Sequence, residues 1–170
     1  DFKPRDVCGR PIIFCRDSDG AIRAFLNTCR HRGATICHVE RGNKKYHVCD
    51  YHGWAYDSSG RNFHIKDRKD GAYPDSFDDC DHNLIPVAKF AGYAGLLFVS
   101  LKADVPSLED YLGDARTFID LAMKQGPDGM EFVPGRTNYT FNGNWKLQID
   151  NGMDVYHLTT THRSFVNTIN

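Results

Sequence analysis

The sequence predicts a mainly β domain, a small antiparallel β-sandwich with two ligand-bearing loops, followed by the start of an α+β domain. From Pro11 to Leu101, short β-prone runs alternate with turn signals too closely for helices. After Lys102 the apolar period becomes helical. Between the strands, Cys29-x-His31 is followed by Cys49-x-x-His52, so two loops each offer one thiolate and one imidazole.

Taken in order, PIIFCR (Pro11 to Arg16) and AIRAFL (Ala21 to Leu26) are joined by Asp17-Ser18-Asp19-Gly20, a hairpin turn. The first ligand loop follows from Asn27. Lys45 to Val48 leads into the second, and Trp54 to Tyr56 leads out of it to a further turn, Asp57-Ser58-Ser59-Gly60. Arg61 to Asn83 is polar, with Gly71, Pro74 and several Asp, and reads as a long loop with little strand content. Val87 to Phe90 and Gly95 to Leu101 are two closing strands. A boundary near Lys102 to Pro106 divides the chain into domains 1–102 and 103–170.

Beyond it, Ser107 is an N-cap with Asp110 three residues on. Leu108, Leu112, Ala115, Ile119 and Ala122 recur at helical spacing until Gly126-Pro127 stops the helix. RTNYTF (Arg136 to Phe141) alternates like an edge strand, and Asn142-Gly143-Asn144 turns it into a helix from Trp145 that is expected to carry Asp150, Asp154 and His157.

The 170 residues are 41% hydrophobic with a formal net charge of -1, ordinary for a soluble globular protein. The basic residues are scattered among acids, which speaks against nucleic acid. No run approaches the roughly 18 apolar residues a membrane helix needs. The start at Asp1 without methionine and the end at Asn170 in mid-pattern suggest a piece of something longer. Of six cysteines, Cys8, Cys15, Cys37 and Cys80 show no paired spacing and read as free thiols in a reducing compartment.

If Cys29 and Cys49 bind one iron and His31 and His52 the other, the loops hold a two-iron, two-sulfide cluster. The alternative is a zinc ion with two Cys and two His ligands. Zinc sites usually draw on Cys-x2-4-Cys and His-x3-5-His pairs, and neither spacing occurs here. Gly33 and Gly53 are expected where backbone passes close to a cluster and N–H groups turn toward sulfur. Further on, Asp154 and His157 are three apart on one helical face, with Asp150 four before Asp154. His157 and His162 are five apart, about 140° on a regular helix, so joint metal ligation requires the helix to end or bulge between them. Leu158-Thr159-Thr160-Thr161 is a poor helix interior and suits such a break. The bland alternative is a pair of satisfied polar residues beside a threonine-rich loop.

With Gly53-Trp54-Ala55-Tyr56-Asp57 after His52, the first part resembles the Rieske domain of the aromatic-ring-hydroxylating oxygenases. Rieske proteins of quinol-oxidising respiratory complexes carry a disulfide between the two loops and a serine bonded to a bridging sulfide; here Ala34, Tyr51 and Trp54 stand at those positions. The resemblance thus implies few hydrogen bonds to sulfur and a potential in the lower Rieske range, suited to electrons from NADH. Asn144-Trp145-Lys146, Asn151-Gly152, Asp154, Tyr156-His157 and His162 are similar to the start of the helix-grip-like catalytic domain in large (alpha) subunits of Rieske non-haem iron oxygenases. NWKLQ, NGMDVYH and the residues near Tyr73, Phe77 and His82 look most like the benzoate and anthranilate dioxygenase branch.

That family resemblance implies a 2Fe–2S cluster on Cys29, His31, Cys49 and His52, and Fe(II) on His157 and His162 with a carboxylate from later in the chain. Neither Asp150 nor Asp154 replaces that carboxylate. Asp154 matches the family's bridging aspartate, expected to accept hydrogen bonds from His157 and from His52 of a neighbour in a head-to-tail homotrimer. The implied partners are a reductase or ferredoxin passing electrons from NADH, dioxygen, an aromatic carboxylate that is dihydroxylated, and in some arrangements a small beta subunit; the location is cytoplasmic. Arg30 and Arg32 flank His31 and either attract an acidic donor or are simply solvated. Lacking the third iron ligand, these residues alone are expected not to hydroxylate. The rival readings are a Rieske electron-transfer module, which would end about at Leu101 and leave Asp154, His157 and His162 without a role, and a monooxygenase or demethylase of the same family.

Overall fold

The computed structural model describes residues 1–131, 133, 135 and 137–169. Two compact units, Asp1–Met130 and Glu131–Asn170, divide the chain. The change of period at Lys102 falls inside the first unit.

In that unit, β1 (Phe2–Val7), β2 (Arg10–Arg16) and β3 (Ile22–Leu26) form an antiparallel sheet in the order β1-β2-β3. The run PIIFC is apolar without alternation because β2 is central and covered on both faces. Ile13 and Cys15 join Phe2 and Phe25 in one core cluster, while Ile12 packs with Ala24, Phe14 and Val87 in another. The β2–β3 turn forms where expected, with Gly20 N–H donating to the Asp17 carbonyl at 3.0 Å. Arg23 clamps it by ion pairs to Asp17 (3.0 Å) and Asp19 (2.8 Å). β1 is not expected from FKPRDV, since Pro4 argues against a strand interior; it forms at the sheet edge, where proline is tolerated.

A second antiparallel sheet holds β4 (Tyr46–Val48), β5 (Ala55–Asp57) and β6 (Asn62–His64), and a hairpin of β7 (Lys89–Tyr93) and β8 (Leu96–Ser100) completes the β structure. The expected long loop contains two 3-10 turns, Arg68–Asp70 and Asp75–Asp79. The first core cluster binds the two sheets together, since Phe2, Ile13 and Phe25 meet Trp54, Tyr56, Ile65 and Leu84 there. Each such side chain contributes roughly 1.5–3 kcal/mol by leaving water. Inside it, Cys15 Sγ lies 3.6 Å from His47 Nε2, and burial pushes the Cys15 thiol up to about 12. None of the six cysteine sulfurs is in a disulfide.

The single helix expected from Ser107 is two: α1 (Leu108–Leu112) and α2 (Ala115–Met123), broken at Gly113 (φ 48°, ψ −127°). The cap itself is as expected, Ser107 Oγ accepting from Asp110 N–H at 3.1 Å. Tyr93 Oη donates to Asp120 at 2.9 Å and ties α2 to β7.

In the second unit, α3 (Lys146–Met153), α4 (Leu158–Thr161) and α5 (Arg163–Ile169) follow one another. Arg136, the start of the expected edge strand, lies outside the described residues, and residues 137–141 form no strand. An extended segment becomes a strand only when a neighbour takes its backbone groups, and no described segment of this unit does so. Among the described residues, no helix is long and apolar enough to cross a membrane.

Candidate metal centres

The two ligand loops of the first unit are built alike. Cys29 N–H donates to the Ala34 carbonyl at 2.7 Å and Gly33 N–H to the Cys29 carbonyl at 2.9 Å. In the second loop Cys49 N–H donates to Trp54 at 2.8 Å and Gly53 N–H to Cys49 at 2.9 Å, so the same five-residue closure repeats. Gly33 and Gly53 have φ +74° and +73°, the left-handed region that costs a side chain strain. A Cβ at either would meet no protein atom within 4 Å, so the backbone conformation is what demands glycine. The N–H groups of Gly33 and Gly53 themselves close the turns on the cysteine carbonyls, while in the second loop the Tyr51 and His52 N–H groups turn to the Cys49 sulfur.

Cys29 and Cys49 are 4% and 2% exposed, whereas His31 is exposed and His52 half-buried. The imidazole rings are 4.5 Å apart between centroids, at 69°. A group held by all four would have its thiolate end buried and its imidazole end at the surface. Among the described residues no three His, Cys, Asp or Glu side chains converge on one ion site. The four are presented as pairs, which suits two irons with two protein ligands each better than one tetrahedral zinc. Burial pushes the Cys49 thiol up, while the Tyr51 and His52 backbone N–H groups pull it down. Loss of water, with the charges of His52 and Arg32, lowers the His31 pKa and favours the neutral, metal-binding imidazole.

Two supporting residues escape a reading of spacing alone. Tyr56, fully buried, places its hydroxyl 3.3 Å from Cys29 Sγ and accepts the Arg30 N–H at 3.0 Å. Burial raises its pKa, so the phenol keeps its proton; beside a free thiol either atom can donate, whereas a metal-bound thiolate can only accept and the phenol would then donate. A side-chain hydroxyl thus joins the few hydrogen-bond partners of the ligand sulfurs. The available signal is that a buried tyrosine hydroxyl needs a partner. Asn27, 2% exposed, bonds both backbone groups of Cys37, Nδ2 to the carbonyl at 2.8 Å and Oδ1 from the N–H at 3.0 Å, and so ties off the base of the first loop.

In the second unit the expected helix does not reach His157. It ends at Met153, and Asp154 is extended (φ −77°, ψ 116°). The Asp154 Oδ1 accepts the Tyr156 N–H at 2.8 Å, taking the donor that a continuing helix would send to Gly152. The contact inferred from helical spacing is made all the same, across the break, with His157 Nδ1 2.8 Å from Asp154 Oδ2. That bond holds the Asp154 carboxyl below its usual range. Since a carboxylate accepts, Nδ1 carries the proton and Nε2 keeps its lone pair for a metal. His157 caps the start of α4 and His162 its end, so the break falls at His162 (φ −107°, ψ 38°) and not among the threonines. The two rings come to 5.1 Å between centroids. Asp150 is exposed on α3 and joins neither ring.

A family model described as Rieske [2Fe-2S] domain matches residues 1–91, and one described as Ring hydroxylating alpha subunit (catalytic domain) matches residues 129–170. The chain is 45% identical to toluate 1,2-dioxygenase subunit alpha of Pseudomonas putida, over 99% of this chain and 37% of that one. It is 42% identical to the large subunit of anthranilate 1,2-dioxygenase of Acinetobacter baylyi, over 99% and 36%. Among solved structures, naphthalene 1,2-dioxygenase from Rhodococcus sp. bound to indole superposes with a TM-score of 0.79 at 38% identity, covering 98% of this chain and 38% of that one. The chain thus spans little more than a third of these relatives.

Proposed function

Because the chain belongs to the Rieske [2Fe-2S] domain family and continues into the catalytic domain of ring-hydroxylating alpha subunits, we propose that it serves the terminal oxygenase of a dioxygenase acting on an aromatic carboxylate. Residues 1–102 form the electron-accepting domain and residues 103–170 begin the catalytic one. Cys29, Cys49, His31 and His52 hold the 2Fe–2S cluster; His157 and His162 supply two of three ligands to Fe(II). When bound, the cluster supplies electrons singly and the mononuclear iron supplies dioxygen chemistry.

The chain's own residues prepare both sites. The paired loop closures fix the four ligands, Tyr56 donates to the Cys29 sulfur, and Asp154 sets the His157 tautomer so that Nε2 faces outward as a ligand. Asp154 also bridges to His52 of the next subunit in a head-to-tail homotrimer, with electrons arriving from an NADH-dependent reductase or ferredoxin in the cytoplasm. Its oxygens accept the Tyr156 N–H and the His157 proton, and the two lone pairs on each leave room for a further donor.

The observation that carries the proposal is the oriented pair His157 and Asp154, which an electron-transfer module has no use for. The names of the relatives, toluate and anthranilate dioxygenases, favour an aromatic carboxylate and two hydroxylations over one. The test is turnover of the full-length oxygenase with reductase, NADH and either carboxylate, with product analysis and EPR of the reduced protein. A vicinal diol and the low average g-value of a mixed Cys/His cluster support the reading. An all-cysteine signal refutes the cluster, and a singly hydroxylated product makes the enzyme a monooxygenase.

A further inference from the structure

Resting on that cluster assignment, we propose that Phe77, with Tyr73 and His82, is a positioning element that presses Trp54 against His31 and thereby sets the cluster's reduction potential. The three residues belong to the long polar loop after β6, which otherwise carries no site. Trp54 is 2% exposed, and its ring lies within 10° of parallel to that of His31 with centroids 5.0 Å apart. Phe77 and His82 meet Trp54 at right angles, at 6.0 and 5.5 Å. They stack on each other at 4.2 Å, and Tyr73 stacks on Phe77 at 4.2 Å. The assembly is locked by its own hydrogen bond: His82 Nε2 donates to the Phe77 carbonyl at 2.8 Å.

A second link joins the same loop to the same ligand. Arg30, the residue before His31, donates to the Asp81 carbonyl at 3.3 Å, next to His82. Both routes end at the first ligand loop, the first through Trp54, whose carbonyl also accepts the Cys49 N–H of the second.

The consequence follows from charge. Reduction adds one negative charge to a cluster held by two thiolates and two neutral imidazoles. His31 is exposed, but the stacked Trp54 covers one face of its ring and keeps water from that face, which disfavours the added charge, because solvent exposure and burial are among the factors that set such potentials. Loosening the packing admits water and favours the reduced state.

The test uses the full-length, cluster-loaded protein and reads the midpoint potential by EPR-monitored titration. Phe77→Ala is expected to raise the potential with the mixed-ligand signal retained, and Phe77→Tyr, which keeps the ring, to return it to the wild-type value. Should the alanine variant lose its cluster, Phe77→Leu gives the same reading with most of the volume preserved. If the chosen variant keeps its mixed-ligand signal and its potential does not move, the loop merely folds over the core and the proposal is overturned. A wild-type signal lacking histidine character would instead fell the cluster assignment beneath it.

Discussion

Tyr56→Phe deletes one oxygen from the centre of the first core and leaves the ring that packs there. That oxygen has two partners, Cys29 Sγ at 3.3 Å and the Arg30 N–H at 3.0 Å. Losing the acceptor of a part-buried N–H costs about 1–3 kcal/mol of folding stability. The redox effect depends on how much more the hydroxyl stabilises the sulfur after reduction. A hydrogen bond to a charged group contributes about 1.5–3 kcal/mol, against about 0.5–1.5 kcal/mol for a neutral one, so the difference is about 1 kcal/mol. For one electron, about 1.4 kcal/mol corresponds to roughly 59 mV, which gives a potential lower by roughly 40 mV. Burial holds the phenol protonated, so the effect should persist across neutral pH. Potentiometric titration of wild type and variant side by side, followed by EPR, measures it. An unchanged or raised potential in a variant that keeps its signal would refute the role of the hydroxyl.

In the full-length protein, Asp154→Asn keeps the size but loses the charge that favours N–H donation from His157; re-oxidation of the pre-reduced cluster by dioxygen with substrate bound should slow about 10- to 100-fold at unchanged iron content, and a wild-type stopped-flow rate would end the bridge hypothesis. The hydrogen bond from His157 holds the Asp154 carboxyl below its usual value, so the contact should outlast an ordinary aspartate as pH falls; NMR titration of the Asp154 carboxyl should place its midpoint below that of a free aspartate, and a midpoint at or above it would refute the contact. Asn27→Leu leaves both backbone groups of Cys37 unpaired in a buried site and should cost roughly 2–4 kcal/mol in chemical denaturation, with lower cluster content. Neither α2 nor α3 has a buried residue, so in the 170-residue chain hydrogen exchange should be fast there and slow in β2 and β5; equal protection would contradict this.

Chemistry that repeats at short range is legible in the chain alone. The Cys/His pairs, the Asp17–Gly20 turn, the Ser107 cap and the reach of Asp154 to His157 all depend on partners within a few residues, where chain geometry leaves few options. Tertiary structure decided what depends on partners far along the chain. Tyr56 is a ligand's hydrogen-bond donor only because β5 lies beneath the loop of Cys29, 27 residues earlier. Phe77 and His82 reach Trp54 across a loop whose polar composition hides its three aromatic rings. β1 exists because β2 offers it an edge despite Pro4, while residues 137–141, whose pattern does alternate, have no such neighbour among the described residues and stay irregular. Even the helix before His157 was settled by competition, since the Asp154 side chain took a backbone donor that periodicity assigned to the helix. Periodicity reports which side of an element is apolar; it carries no record of which distant group will arrive to cover it.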